Sequence, residues 1–124
     1  MGVNIQVLSN LDSIEMAILM KRAAAVVGLA HGEAFGLTPI ESMALGVPPI
    51  FVDEGGYRDT IVDGVNGRLV ARGEFDDWRQ ALIQAREPDT RAKWAESGLF
   101  RIEELGLSSE NYASQLEEML RPLL

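Results

Sequence analysis

Glu33 and Glu41 stand with seven residues between them, on either side of Gly36-Leu37-Thr38-Pro39, each in a mostly apolar neighbourhood. A helix start in such a place offers unpaired amides and partial positive charge. A glycine beside it lets a phosphate approach the backbone. A carboxylate three residues before that glycine would repel a phosphate bound at the same spot. Glu33 therefore suits hydroxyl groups farther along the same ligand, and Glu41 suits them on the other side. Sugar hydroxyls flanking a diphosphate describe a nucleoside diphosphate sugar.

A purely local reading competes with this one. Thr38-Pro39-Ile40-Glu41 matches a capping box, with Thr38 as N-cap, Pro39 at the first helical position and Glu41 reaching back to the Thr38 amide. Such a cap contributes ~1 kcal/mol. It explains Thr38, Pro39 and Glu41, but gives no role to Glu33 or to Phe35-Gly36-Leu37.

The elements that must hold these residues follow from periodicity. Val3 to Leu8 alternates apolar and polar residues and reads as a strand. Ser9 to Ser13 reads as a turn that caps a helix running from Ser13 to about Ala23. That helix is apolar around most of its circumference, which predicts burial on more than one side. Ala24 to Ala30 is a short continuous apolar run, typical of a strand covered on both faces. The next helix runs from about Pro39 to Leu45 and ends at Gly46. Val47 to Val52 is a strand with its prolines at the entry. A turn at Asp53 to Gly56 leads to a short helix closed by Gly64. Gly67 to Ala71 is the last strand.

From Glu74 the pattern is helical, with Phe75, Trp78 and Leu82 on one face and Ala81 and Ala85 widening it. Pro88 restarts the chain, and Gly98 and Gly106 interrupt it. Tyr112, Leu116, Met119 and Leu123 mark a final amphipathic helix. The expected fold is α/β: a partial doubly wound, Rossmann-like parallel sheet of about four strands, flanking helices and a helical C-terminal third. The domain reading is one unit over 1–124, with an α/β core over 1–71 and helices over 72–124. Ligands of such sheets bind beyond the carboxyl ends of the strands. The stretch from Ala30 to Thr38 falls there.

Composition removes several function classes. The net charge of -8 and pI near 4.6 oppose a sequence-independent hold on nucleic acid and docking to an anionic membrane. The absence of cysteine and the single His31 argue against cysteine or histidine metal centres. No apolar run reaches the roughly 18 residues of a membrane span, and a cytoplasmic protein is the default expectation.

The stretch from Glu33 to Val70, "EAFGLTPIESMALGVPPIFVDEGGYRDTIVDGVNGRLV", resembles the donor-binding half of the C-terminal domain of retaining GT-B glycosyltransferases of the group 1 type. The resemblance covers about Val3 to Val70 and is most specific from Glu33 to Gly67. It implies that Glu33 contacts the donor sugar near the reacting centre. It implies that Gly36, Leu37 and Thr38 offer amides to the distal phosphate, and that Glu41 binds the ribose hydroxyls. His31 occupies a variable position and reads as an exposed loop residue, with a ligand-facing role as the alternative. Gly55 and Gly56 would shape the next turn more than touch the donor. Asp59 stands where the family usually has a glutamate and reads as a helix-start residue. Leu29-Ala30 stand where Pro-Ser is usual, and Ala34 replaces a glycine.

The resemblance implies a sugar transfer from a nucleotide donor to an acceptor hydroxyl with retention, requiring no metal or other cofactor. It also exposes gaps. Two strands and two helices that normally open such a domain, with the Arg and Lys that clamp the diphosphate, have no counterpart here. Neither has the acceptor domain. Lys21, Arg22 and Arg58 fall at other positions and read as solvated charge. The expectation is a chain that acts with a complementing polypeptide or as a homo-oligomer. A noncatalytic nucleotide-binding or assembly module derived from such a domain is the alternative.

Overall fold

The computed structural model describes residues 3–30 and 37–105. At its centre is a parallel sheet in the order β1-β2-β3, comprising β1 (Val26–Gly28), β2 (Pro49–Val52) and β3 (Arg68–Val70). Helix α1 (Ser13–Arg22) precedes β1, α2 (Leu37–Ala44) joins β1 to β2, and α3 (Tyr57–Thr60) lies between β2 and β3. Two longer helices follow, α4 (Phe75–Arg86) and α5 (Pro88–Glu104). The α/β class is as expected, with three strands in place of about four.

The missing strand is Val3 to Leu8. It forms no strand, and Val3, Ile5 and Val7 are 79%, 79% and 89% exposed. Alternating apolar residues give a segment the means to be a strand, but a strand exists only where a neighbour takes up its backbone hydrogen bonds. Among the described residues none does so here. The turn after it is as read: Asn10 adopts a left-handed φ of 58°, and Asp12 caps α1 by accepting from the Glu15 amide at 2.8 Å. Helix α1 buries Ala17 and Met20 but leaves Met16 and Leu19 exposed, so its cover is on one side only.

β2 is the central strand, and all four of its residues are buried. Alternation along it feeds two cores. Phe51 packs with Met43, Ala44, Tyr57, Ile61 and Ile102. Ile50 packs with Val70, Ala81, Ala85 and Trp94. Pro48 and Pro49 stand at its entry, and the Pro48 carbonyl accepts from the Val26 amide at 3.1 Å. β1, expected to be covered on both faces, is instead an edge strand with Val27 46% exposed.

Helix α2 ends where the sequence indicated. Gly46 has φ 75°, its amide donates to the Met43 carbonyl, and the Val47 amide donates back to the Ser42 carbonyl. This is a Schellman closure, and it turns the chain directly into β2. The buried Ser42 hydroxyl adds a bond to the Val47 carbonyl. Helix α3 ends at Thr60 rather than at Gly64, because Arg101 of α5 donates to the Asp59 and Thr60 carbonyls at 2.8 and 3.4 Å. Those are two of the carbonyls a helix end leaves unpaired.

The face of α4 departs from expectation. Ala81 and Ala85 are buried with Trp78 packed beside them, while Phe75 and Leu82 are 81% and 44% exposed. Small residues let α4 approach β3 closely, and this rotates the large apolar pair outward. Gly98 does not interrupt α5. It is buried within the helix, and an added Cβ would lie 3.1 Å from Met43 Cγ, so the glycine lets α5 approach α2. The final helix expected around Tyr112 to Leu123 lies outside the described residues.

One packing consequence is testable. A Cβ at Gly28 would fall 2.0 Å from the Phe51 ring, which is itself buried. Gly28→Ala should therefore destabilise the chain by about 1–3 kcal/mol. A urea midpoint equal to that of the native chain would mean that the ring can move aside.

Candidate functional site

In a parallel sheet all strands end on one edge, and here that edge also carries the starts of α2, α3 and α4. Three segments therefore lie beyond the carboxyl ends: the start of α2 at Leu37, the turn Asp53 to Gly56, and the turn Ala71 to Glu74. The sheet positions them through β2, whose buried residues anchor both flanking strands.

The first segment carries most of the sequence-predicted site. His31, Glu33 and Gly36 lie outside the described residues. Leu37 opens α2, and Thr38 is its second residue and exposed. The helix thus starts before the expected N-cap, so Thr38 sits inside the first turn. The amides of Leu37 and Thr38 are among those that a helix start leaves without intrahelical partners, and Pro39 has none to leave. Thr38 and these amides face the edge where a ligand of such a sheet binds. Glu41 lies one turn farther along, half-buried, and already has a polar or electrostatic partner.

The second segment is a turn closed on itself. Gly55 takes a left-handed φ of 55°, which only a glycine adopts without cost, and Gly56 is buried at the start of α3. Tyr57 then stacks its ring against Phe51 with centroids 4.8 Å apart. Arg58 folds back on Asp53, donating to its carboxylate and to its carbonyl at 2.8 Å each. Asp59 is exposed in the first turn of α3, as a helix-start residue would be.

The third segment is tied to the second. Arg72 donates to both oxygens of Glu54, at 3.0 and 2.8 Å. This two-bond pair joins the ends of β2 and β3 with defined geometry. Hydrogen bonding to Glu54 raises the Arg72 pKa above its ordinary value. A raised value means its contribution is complete below the unfolded pKa and is lost only as pH rises through the folded one. The guanidinium therefore stays charged across the working range. The Trp78 indole donates to the Ala71 carbonyl at 3.1 Å and fixes the turn into α4.

The cations on this edge are thus engaged. Arg58 and Arg72, the two arginines that follow β2 and β3, are each paired with a carboxylate. Neither pairing was visible in the sequence: Arg58 reaches Asp53 through the turn between β2 and α3, and Arg72 reaches Glu54, eighteen residues away, only through the sheet. Two open grooves among the described residues lie elsewhere. One of about 520 Å³ is lined by Gly64, Gln84, Lys93 and Trp94, and another of about 380 Å³ by Val62, Asn66, Phe100 and Arg101. Both sit toward the amino end of β3, away from the segments just described.

Comparison with known proteins gives a consistent picture. Residues 1–99 match the family described as glycosyl transferases group 1. D-inositol 3-phosphate glycosyltransferase of Frankia alni is 34% identical over 96 residues, covering 77% of this chain and 24% of that protein. Glycogen synthase of Chlamydia pneumoniae is 32% identical over 97 residues, covering 73% of this chain and 20% of that protein. The chain thus spans about a quarter or less of the length of these curated relatives. Among solved structures, the Anabaena protein HepE in complex with UDP and glucose superposes with a TM-score of 0.63 at 22% identity, over 84% of this chain and 29% of that one. That likeness bears on the fold alone. Sucrose-phosphate synthase from Thermosynechococcus elongatus superposes with a TM-score of 0.58 at 28% identity, over 78% of this chain and 25% of that one. By sequence over most of its length, and with a fold to match, the chain belongs to the glycosyl transferases group 1 family.

Proposed function

We propose that this chain is the donor-binding part of a glycosyltransferase that takes a nucleoside diphosphate sugar and passes the sugar to an acceptor hydroxyl with retention. The observation that carries the reading is the position of the Glu33–Glu41 motif. In the sequence it falls between β1 and the first turn of α2, in a chain whose family is glycosyl transferases group 1. HepE, solved with UDP and glucose, shares the fold.

In this reading Gly36, Leu37 and Thr38 present amides to the distal phosphate at the positive end of α2. Glu41 accepts hydrogen bonds from the ribose hydroxyls, and Glu33 lies against the donor sugar near its anomeric carbon. The bond from that carbon to the phosphate oxygen breaks, the acceptor oxygen takes its place, and the acceptor proton leaves. His31 borders the same loop, and Gly55 and Gly56 hold the neighbouring turn. No metal or cofactor enters this reading, which places the reaction in the cytoplasm. Among the described residues no helix is long and apolar enough to cross a membrane.

The leaving diphosphate needs cations, and among the described residues the arginines of this edge are engaged elsewhere. Arg58 and Arg72 are already held by Asp53 and Glu54. Preorganised stabilisation of this kind contributes ~3 kcal/mol per donor. The cations for that step therefore come from outside these residues, and this chain alone should turn over a nucleotide sugar far below the ~1 per second of an ordinary enzyme. Turnover near that rate by purified chain would show the site to be complete. The same pairing favours a second reading, a noncatalytic nucleotide-binding or assembly module, which predicts binding without transfer in any combination.

Glu41 separates ligand binding from capping. Glu41→Gln should weaken nucleotide affinity about tenfold while leaving the melt nearly unchanged, since Gln keeps the size and helix propensity of the side chain. If Glu41→Gln leaves affinity unaltered and Glu41→Ala only lowers stability, the carboxylate is structural.

A further inference from the structure

The turn before β3 runs Val62-Asp63-Gly64-Val65-Asn66-Gly67 and ends in an Asn-Gly pair. Asn-Gly is the dipeptide that most readily loses its side-chain ammonia, because a glycine amide has no neighbouring Cβ to keep it from the asparagine carbonyl carbon. Val62 to Val65 are exposed, but Asn66 and Gly67 are buried. The fold requires both residues. Asn66 accepts from the Val62 amide at 2.8 Å and donates to the Thr60 carbonyl at 3.2 Å, so its side chain holds the end of α3. A Cβ at position 67 would fall 2.2 Å from the Pro49 carbonyl oxygen, so only glycine fits there. Packing thus fixes a reactive pair in the chain.

We propose that Asn66 is a deamidation site, kept silent by the fold and released when this turn opens. The Gly67 backbone nitrogen attacks Asn66 Cγ. The new C–N bond closes a succinimide ring, the bond from Cγ to the side-chain nitrogen breaks, and ammonia leaves with the proton of the Gly67 amide. Water then opens the ring at either carbonyl and gives aspartate or isoaspartate. Water is the only co-reactant, and the step is independent of donor chemistry.

The native geometry blocks each step. Both polar atoms of the Asn66 side chain are engaged by Thr60 and Val62, and its amide also reaches the Met43 sulfur at 3.6 Å. Gly67 lies against Pro49 of β2, and its carbonyl accepts from the Gly64 amide at 2.8 Å. Attack requires the Asn66 side chain to swing onto the Gly67 nitrogen, and so requires its bonds to break. Burial also keeps away the water that must take the proton and open the ring. Conversion therefore waits on local opening. It is also one-way. A carboxylate has no hydrogen to give the Thr60 carbonyl and would bury a charge against that oxygen. Arg101, which also reaches that carbonyl, is engaged by the Asp59 carbonyl at 2.8 Å. Isoaspartate further lengthens the main chain by a carbon. A molecule that has opened and reacted does not regain the native turn, and its lifetime becomes a matter of rate.

The test is peptide mapping of the purified chain after ageing at neutral pH, in buffer and in unfolding urea. Trypsin releases Asp59 to Arg68, in which Asn66 carries the only side-chain amide, so the mass gain of amide-to-acid conversion reports this residue alone. Conversion in buffer should be slower than in urea by about tenfold or more. In urea, where folding plays no part, Gly67→Ala should slow conversion about tenfold. Converted chain, separated by its added negative charge and returned to buffer, should show a lower urea midpoint than unconverted chain treated alike. Conversion in buffer at the urea rate overturns the proposal. So does a peptide that does not convert in urea, or one that converts there equally fast with Gly67→Ala. An unchanged midpoint for the converted chain overturns it too.

Discussion

Asn66→Ala should cost the chain about 2–4 kcal/mol, a large share of the 5–15 kcal/mol typical of a small domain. Asn66 is 1% exposed. Its carbonyl accepts from the Val62 amide at 2.8 Å, and its amide donates to the Thr60 carbonyl at 3.2 Å and to the Met43 sulfur at 3.6 Å. One side chain therefore ties the end of α3, the turn before β3 and the core side of α2. Alanine leaves a cavity and strands the Thr60 carbonyl with only the Arg101 contact at 3.4 Å. Removing one partner from a buried pair costs more than the bond itself was worth, because the desolvated group is left behind. Urea unfolding measures it. A loss under 1 kcal/mol would mean that water replaces the amide.

Gly67→Ala should be as damaging, about 3 kcal/mol or more. Gly67 has φ 156°, and a Cβ there would fall 2.2 Å from the Pro49 carbonyl oxygen and 3.0 Å from the proline ring. The obstacle is backbone of the central strand, so relief requires β2 and β3 to part. The same shift would disturb the turns carrying Glu54 and Arg72, which β2 and β3 deliver. Gly73→Ala is the control: nothing lies within 4 Å of its added Cβ. If both variants melt alike, β2 and β3 have room that the structure does not show.

Much of the framework was legible from local chemistry. The end of α2 was readable because Gly46 closes a Schellman motif within six residues. The proline entry to β2 and the cap of α1 at Asp12 were readable for the same reason. What escaped depends on partners distant in sequence. Val3 to Leu8 has the alternation of a strand and lacks a neighbour. Phe75 and Leu82 follow helical spacing, yet Ala81 and Ala85 take the buried face because close approach to β3 favours small residues. Gly98 reads as a helix breaker and acts as a contact glycine against Met43. Arg101 capping α3 spans more than forty positions, and no local pattern announces it.

The site divides along the same line. The motif from Glu33 to Glu41 is local in sequence, and the structure places its described members Leu37, Thr38 and Glu41 on one helix at the carboxyl edge. The pairing of Arg58 with Asp53 and of Arg72 with Glu54 was not readable. It matters, because both of these arginines at the carboxyl edge are already paired with carboxylates.

Isothermal titration of the purified chain with UDP, GDP and ADP tests the central claim most directly. The account predicts that at least one of these nucleotides binds. It also predicts that the same nucleotide, at a hundredfold its dissociation constant, stabilises the fold by about 2.7 kcal/mol, and that Glu41→Ala abolishes the heat. No heat from any of the three at millimolar nucleotide, with the chain folded, would contradict it.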